Sequence, residues 1–112
     1  MQIKEQMKGD VAVLELKGKL MGGPETAAIH EKVKELVANN VKKVVIDLGK
    51  VNWMNSSGLG ALMGSMTTLK NAGGELKLAR VTEKVKSLFM ITKLVTIFDT
   101  YDSVDEAVAS FS

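Results

Sequence analysis

The chain predicts a single-domain α/β fold: a mixed, mostly parallel sheet with about four helices, in the order β-β-α-β-α-β-α-β-α. Three features predict it. Val44, Val45 and Ile46 are consecutive β-branched residues, the pattern of a strand covered on both faces. Segments of helical period, Pro24 to Ala38 and Ser57 to Asn71, stand on either side of that run. Strand-like and helical runs keep alternating afterwards, which implies parallel pairing beyond a first hairpin, with right-handed crossovers. One domain over residues 1–112 is expected, enough chain to bury a core without staples.

Each element has its own warrant. Ile3 to Lys8 and Val11 to Leu16 flank Gly9-Asp10 and read as a hairpin. Gly18 to Pro24 breaks regular structure, and Pro24, the only proline, suits the first turn of a helix. Glu25 complements the positive end of that helix's dipole. Ala28, Ile29, Val33, Leu36 and Val37 supply its apolar stripe, and Asn39-Asn40 its stop. The central strand runs from Val41 to Leu48 and a turn follows. The next helix, Ser57 to Asn71, carries Leu59, Leu62, Met63, Met66 and Leu69 on one face. Gly58, Gly60 and Gly64 weaken it by roughly 1 kcal/mol each relative to Ala. They imply close backbone packing, or a surface that must stay uncluttered. Ala72-Gly73-Gly74 ends it. Glu75 to Ala79 is a strand. Thr82 is an N-cap candidate for a short helix to about Ile91, and Val95 to Phe98 is the last strand. Ser103 and Glu106 form a capping box for a final helix bearing Val104, Ala107, Val108 and Phe111.

Composition excludes several classes. There is no cysteine, so neither a disulfide framework nor a thiolate metal site is available. The first residues show no apolar signal core and no run of 18 apolar residues occurs, so no membrane span and a cytoplasmic location are expected. Net charge is +2 and the lysines are scattered with few aromatics, unlike a nucleic-acid binder. His30, the only histidine, follows a core-facing Ile29 and is expected on the surface. Asp47 stands alone on its strand and Asp99 with Asp102 reads as a turn pair, so no metal site is expected.

In such sheets, partner or ligand sites lie at the carboxyl ends of the strands. Three loops should meet there: Lys19 to Gly23, Gly49 to Ser57, and Arg80 to Thr82. The second delivers Ser56 and Ser57 to a helix start. A hydrolytic nucleophile would need G-x-S-x-G and a base; the first glycine is missing, and His30 is poorly placed. The spacing G-x-G-x-x-x-G from Gly58 to Gly64 is neither a dinucleotide fingerprint nor a P-loop. Asn55 or Ser56 can cap the helix, worth about 1 kcal/mol. A serine at a helix N-terminus can also carry a phosphate, whose charge of about −1.5 to −2 would alter the surface a partner meets.

Val44 to Leu48, then Val51-Asn52-Trp53-Met54-Asn55-Ser56-Ser57-Gly58-Leu59-Gly60, closely resembles the signature of STAS domains, and more narrowly that of the bacterial anti-sigma factor antagonists. Gly18-Lys19-Leu20, Asn71 to Leu76 and the segment holding Phe89 also resemble that family. The resemblance implies a STAS-like fold and a partner-switching role without catalytic residues, metal or cofactor. It implies binding to an anti-sigma factor serine kinase, phosphorylation of Ser56 (with Ser57 as the second candidate) and reversal by a serine phosphatase. The partner-binding set expected from the loops is Met21, Gly22, Gly23, Asn55, Ser56, Ser57, Gly58, Leu59 and Thr82, on a monomer or weak dimer. Two positions depart from the family, which usually has Asp at Asn55, and in several members Asp at Met21. These departures motivate an alternative: a non-phosphorylated STAS subunit docking on a transporter ATPase or a larger signalling complex. A small-ligand or nucleotide sensor rests on the glycine-rich helix start alone.

Overall fold

The computed structural model describes residues 2–91 and 97–111, apart from the side chain of Glu25. The expected dipole role of Glu25 therefore lies outside the described residues. The elements are β1 (Gln2–Lys8), β2 (Val11–Leu20), α1 (Gly23–Ala38), β3 (Lys43–Met54), α2 (Ser56–Asn71), β4 (Glu75–Ala79), α3 (Glu83–Ile91), β5 (Asp99–Tyr101) and α4 (Val104–Ala109). This is the predicted order. The strands lie in sequence order in one sheet; β1 is antiparallel to β2 and the other pairs are parallel.

The β-branched run sits in the centre, as expected. Val44 and Ile46 join the larger core with Leu14, Leu16 and Leu78, under the apolar faces of α1, α2 and α3. Val45 points the other way, into a smaller cluster with Val11, Val13, Ala79 and Ala107 of α4. Among the described residues, three helices thus cover one face and one short helix the other.

β3 departs from its expected bounds. It begins at Lys43 rather than Val41, and the turn expected after Leu48 is strand continuing to Met54. Glu15 pairs with Asp47 and Lys17 with Lys50, so Leu48 and Gly49 oppose the single residue Leu16. A second extra residue, Asn52, falls between the pairs Gly18–Val51 and Lys19–Trp53. These bulges re-aim the strand. Their result is that Leu48, Val51 and Met54, three residues apart, all reach the larger core. Period-two reasoning cannot see such a strand. β2 is likewise carried beyond Leu16 to Leu20, which pairs with Met54.

Smaller corrections follow from packing. In α1 the buried positions are Thr26, Ile29, Val33 and Leu36, while Ala28 is exposed. The α1 stop is a Schellman turn: Asn40 has φ 63°, its N–H bonds the Val37 carbonyl, and the Val41 N–H bonds the Leu36 carbonyl. β5 is Asp99–Tyr101 instead of residues 95–98. Residues 95 and 96 lie outside the described residues, Ile97 and Phe98 form a turn, and Phe98 is buried with its ring 5.6 Å from that of Phe89. Lys77 is buried in β4, although alternation places it on the face opposite Leu76 and Leu78.

Candidate functional site

The carboxyl ends of β2 and β3 are locked together by backbone chemistry. The Asn55 N–H donates to the Leu20 carbonyl at 3.1 Å, directly after the Leu20–Met54 pair. Asn55 is the N-cap of α2: its Oδ1 accepts the Gly58 N–H at 3.0 Å. The same side chain reaches across to the first loop, where its Nδ2 donates to the Met21 carbonyl at 2.9 Å. Of the two capping candidates, Asn55 makes the bond, which leaves Ser56 as the first residue of α2, exposed.

The first loop lies against this turn. Gly22 has φ 96° and ψ −172°, a conformation open to glycine. A Cβ there would stand 3.0 Å from Ser57 Cβ. The Gly22 N–H donates to the buried Thr26 hydroxyl at 2.9 Å. Gly58 is the other close approach, since a Cβ on it would meet the Leu20 carbonyl oxygen. Leu59 is buried in the larger core. Of the expected partner-binding set, Met21, Gly22, Gly23 and Asn55 to Gly58 are therefore brought to one end of the sheet, while Leu59 supports them from beneath.

Thr82 is placed differently. Its hydroxyl lies 3.4 Å from the Val51 carbonyl and its own carbonyl accepts the Lys86 N–H, so it joins the start of α3 to the middle of the bulged part of β3. Among the described residues it has no hydrogen bond to the serine turn. Gly64 lies beneath the His30 ring, and His30 Nε2 shares a 2.7 Å hydrogen bond with Thr68. His30 is thus a half-buried link between α1 and α2 rather than a free surface group.

Two features are not visible in the sequence pattern. Trp53, which pairs with Lys19 near the end of β3, is 48% exposed, and the expected contact residue Met21, one residue past β2, is 50% exposed. Trp53 could have been flagged as the lone Trp next to the S-S-G turn, but only the bulge at Asn52 turns it outward. Asp47 is not isolated: buried to 2% exposure, it accepts Arg80 Nε at 2.8 Å, Arg80 Nη2 at 2.7 Å and the Gly49 N–H at 2.9 Å. The hydrogen bond to Asp47 holds the Arg80 guanidinium above its ordinary value, against the opposing effect of burial. Arg80 itself has φ 55°, and its guanidinium fills the space a Cβ on Gly49 would need.

Among the described residues, no group of three or more His, Asp or Glu side chains is arranged to hold a metal ion. No helix among them is long and apolar enough to cross a membrane.

Sequence comparison identifies the family to which this α/β sheet, with its capped serine turn at the end of the central strand, belongs. The STAS domain model matches residues 2–107, and the chain belongs to the STAS domain family. It is 30% identical over 95 residues to BtrV of Bordetella bronchiseptica, whose name proposes an anti-sigma factor antagonist; the match covers 82% of each chain. It is 38% identical over 83 residues to the anti-sigma-B factor antagonist of Listeria monocytogenes, covering 70% of this chain and 73% of that one. The fold matches SpoIIAA, a Bacillus cell fate determinant solved in its phosphorylated form, with a TM-score of 0.77 at 18% identity over 99% of this chain and 100% of that one.

Proposed function

We propose that this chain is an anti-sigma factor antagonist that binds a kinase-type anti-sigma factor through the Met21–Gly23 loop and the Asn55–Gly58 turn. Phosphorylation of Ser56 by that kinase breaks the complex, and a serine phosphatase restores it. The chain acts as a binding module and a phosphorylation substrate, not as a catalyst. The observation that carries this reading is the position of Ser56. It is exposed, it opens α2, and Asn55 already caps the Gly58 N–H, so the Ser56 hydroxyl is not needed to hold the helix start. A phosphate there would meet the positive end of the helix dipole, so it costs the fold little. It would also add a charge of about −1.5 to −2 to the turn that Asn55 ties to the Met21 loop, and a partner surface would have to desolvate that charge.

The names of the matched relatives support the antagonist role, and the phosphorylated form of SpoIIAA supports a phosphate on this fold. Two measurements test the reading. The first incubates the protein with its copurified anti-sigma kinase and ATP and maps phosphate by mass spectrometry; Ser56 is the expected site, and absence of label on both Ser56 and Ser57 removes the regulated form. The second compares affinities, where Ser56→Asp is expected to weaken the complex by about tenfold or more, the scale of one unmatched charge placed at an interface. An unchanged Kd counts against the switch.

A further inference from the structure

Asn55 has two polar ends and the fold uses both. Oδ1 can meet only a donor and finds the Gly58 N–H; Nδ2 can meet only an acceptor and finds the Met21 carbonyl. The partners therefore leave one orientation of the amide. The first of these bonds is an ordinary helix cap. The second is not required by the helix, because it leaves α2 altogether and ties down a loop 34 residues earlier in the chain.

That loop has few other restraints. Met21 and Gly23 are exposed, no side chain caps α1 at Gly22, and the Gly22 N–H bond to Thr26 belongs to α1. Yet the loop lies close against the turn, since even a Cβ on Gly22 would stand 3.0 Å from Ser57 Cβ. A carboxylate at position 55 would cap Gly58 equally well. It has no hydrogen to donate, and its second oxygen would face the Met21 carbonyl, acceptor against acceptor.

We propose that Asn55 is a positioning residue whose amide latches the Met21–Gly23 loop onto the serine turn, so that Met21 and Ser56 are presented to a protein partner as one surface. The proposal rests on the antagonist reading for its partner, but the latch itself belongs to the free protein. On this account the amide of Asn55 supplies a donor that a carboxylate lacks, and the exposed Met21 is the residue whose position depends on it.

Two variants separate donor from charge. Asn55→Asp and Asn55→Ser each keep an oxygen for the Gly58 N–H, and neither keeps a donor that reaches Met21. Amide hydrogen exchange on the free chain is expected to show the Gly22 N–H exchanging about tenfold faster in both: it keeps Thr26 as its partner, but a loop freed from Asn55 opens that bond more often. The Gly58 N–H should stay within about twofold of wild type, because the cap survives. A structural role confined to the helix predicts no change at either amide, because both variants keep the cap. Both variants should also weaken the complex with the anti-sigma kinase. Unchanged Gly22 exchange in Asn55→Ser overturns the latch, since any effect of Asn55→Asp alone would then come from charge. Faster Gly22 exchange with unchanged affinity overturns its role in presentation. A wild-type chain that binds no such kinase overturns the antagonist reading, while the exchange data still decide the latch.

Discussion

Gly58 and Gly60 are two positions apart on α2 and have opposite surroundings. A Cβ on Gly58 would collide with the Leu20 carbonyl oxygen and crowd Leu20 Cβ at 2.7 Å, whereas nothing lies within 4 Å of the same atom on Gly60. Helix propensity favours Ala over Gly by up to about 1 kcal/mol at either position. At Gly60 that gain is unopposed, so Gly60→Ala is expected to stabilise by about 0.5–1 kcal/mol in urea unfolding. At Gly58 the obstructing atom is backbone, held by the Asn55 N–H, and cannot swing away. Gly58→Ala is therefore expected to destabilise by about 1–3 kcal/mol despite the better helix former. Equal midpoints for the two variants would sink the distinction. The sequence displays three glycines in one helix and allows two explanations, close packing or an open surface. The structure assigns close packing to Gly58 and to Gly64 beneath His30, and open surface to Gly60. No spacing rule could have divided them, because the obstructing atoms come from β2 and α1. Asn55 shows the same limit: its capping role is visible from its neighbours, but its second partner lies 34 positions away.

Among the elements, β3 explains most of what pattern reading misses at this site. Its first half is a buried, β-branched run and is plain in the sequence. Its second half, Gly49 to Met54, carries two bulges, and each shifts the inward-facing position by one residue. The apolar positions then recur every third residue, a period of neither strand nor simple turn, so the segment reads as loop. Asp47 and Arg80 meet just ahead of that bulged half. Arg80 follows β4 and its paired guanidinium lies across Gly49, so this ion pair clamps the two central strands just before the bulges. Removing Arg80 would leave the Asp47 carboxylate buried with one N–H partner. A fully enclosed charge left unpaired costs about 3–5 kcal/mol, but the Arg80 side chain is 41% exposed, so water would enter beside Asp47. Arg80→Ala is expected to destabilise by about 1–3 kcal/mol, read as a lower urea midpoint. If the midpoint does not move, the clamp does not support the strands. The β5 boundary is hidden for a related reason, since Phe98 is apolar like a strand residue but is spent on the Phe89 ring before pairing begins at Asp99.

For the whole molecule, the order of elements was legible but the unequal covering of the two sheet faces was not. Helix count and strand order say nothing of which helix goes to which side. Here the larger core takes α1, α2 and α3, and the smaller one rests on α4, whose only fully buried residue is Ala107. Val104, Val108 and Phe111 pack beside Ala107 but are only partly buried, and so limited an apolar contact should let α4 open well below the free energy of global unfolding. What opposes that opening is Lys77. Its Nζ donates to the Ser110 hydroxyl at 2.7 Å and to the Ser110 carbonyl at 3.3 Å, and lies 4.3 Å from the centroid of the Phe111 ring. Lys77 is 6% exposed and holds the end of α4 against β4 from within the sheet. Lys77→Met keeps the length and apolar stem but removes the donors and the charge. Native-state hydrogen exchange should then show the Ala107 and Ser110 amides opening about tenfold more often, the effect of lost charge-assisted hydrogen bonds. The buried side chain it replaces is costly to desolvate, so the global midpoint should move much less than α4 does. The amides of Leu59 and Leu62 in α2 belong to the other core and should keep their protection. If α2 and α4 loosen together, the two faces form one cooperative unit; if only α4 loosens, the end of the sheet that carries Ser56 is held independently of the face opposite.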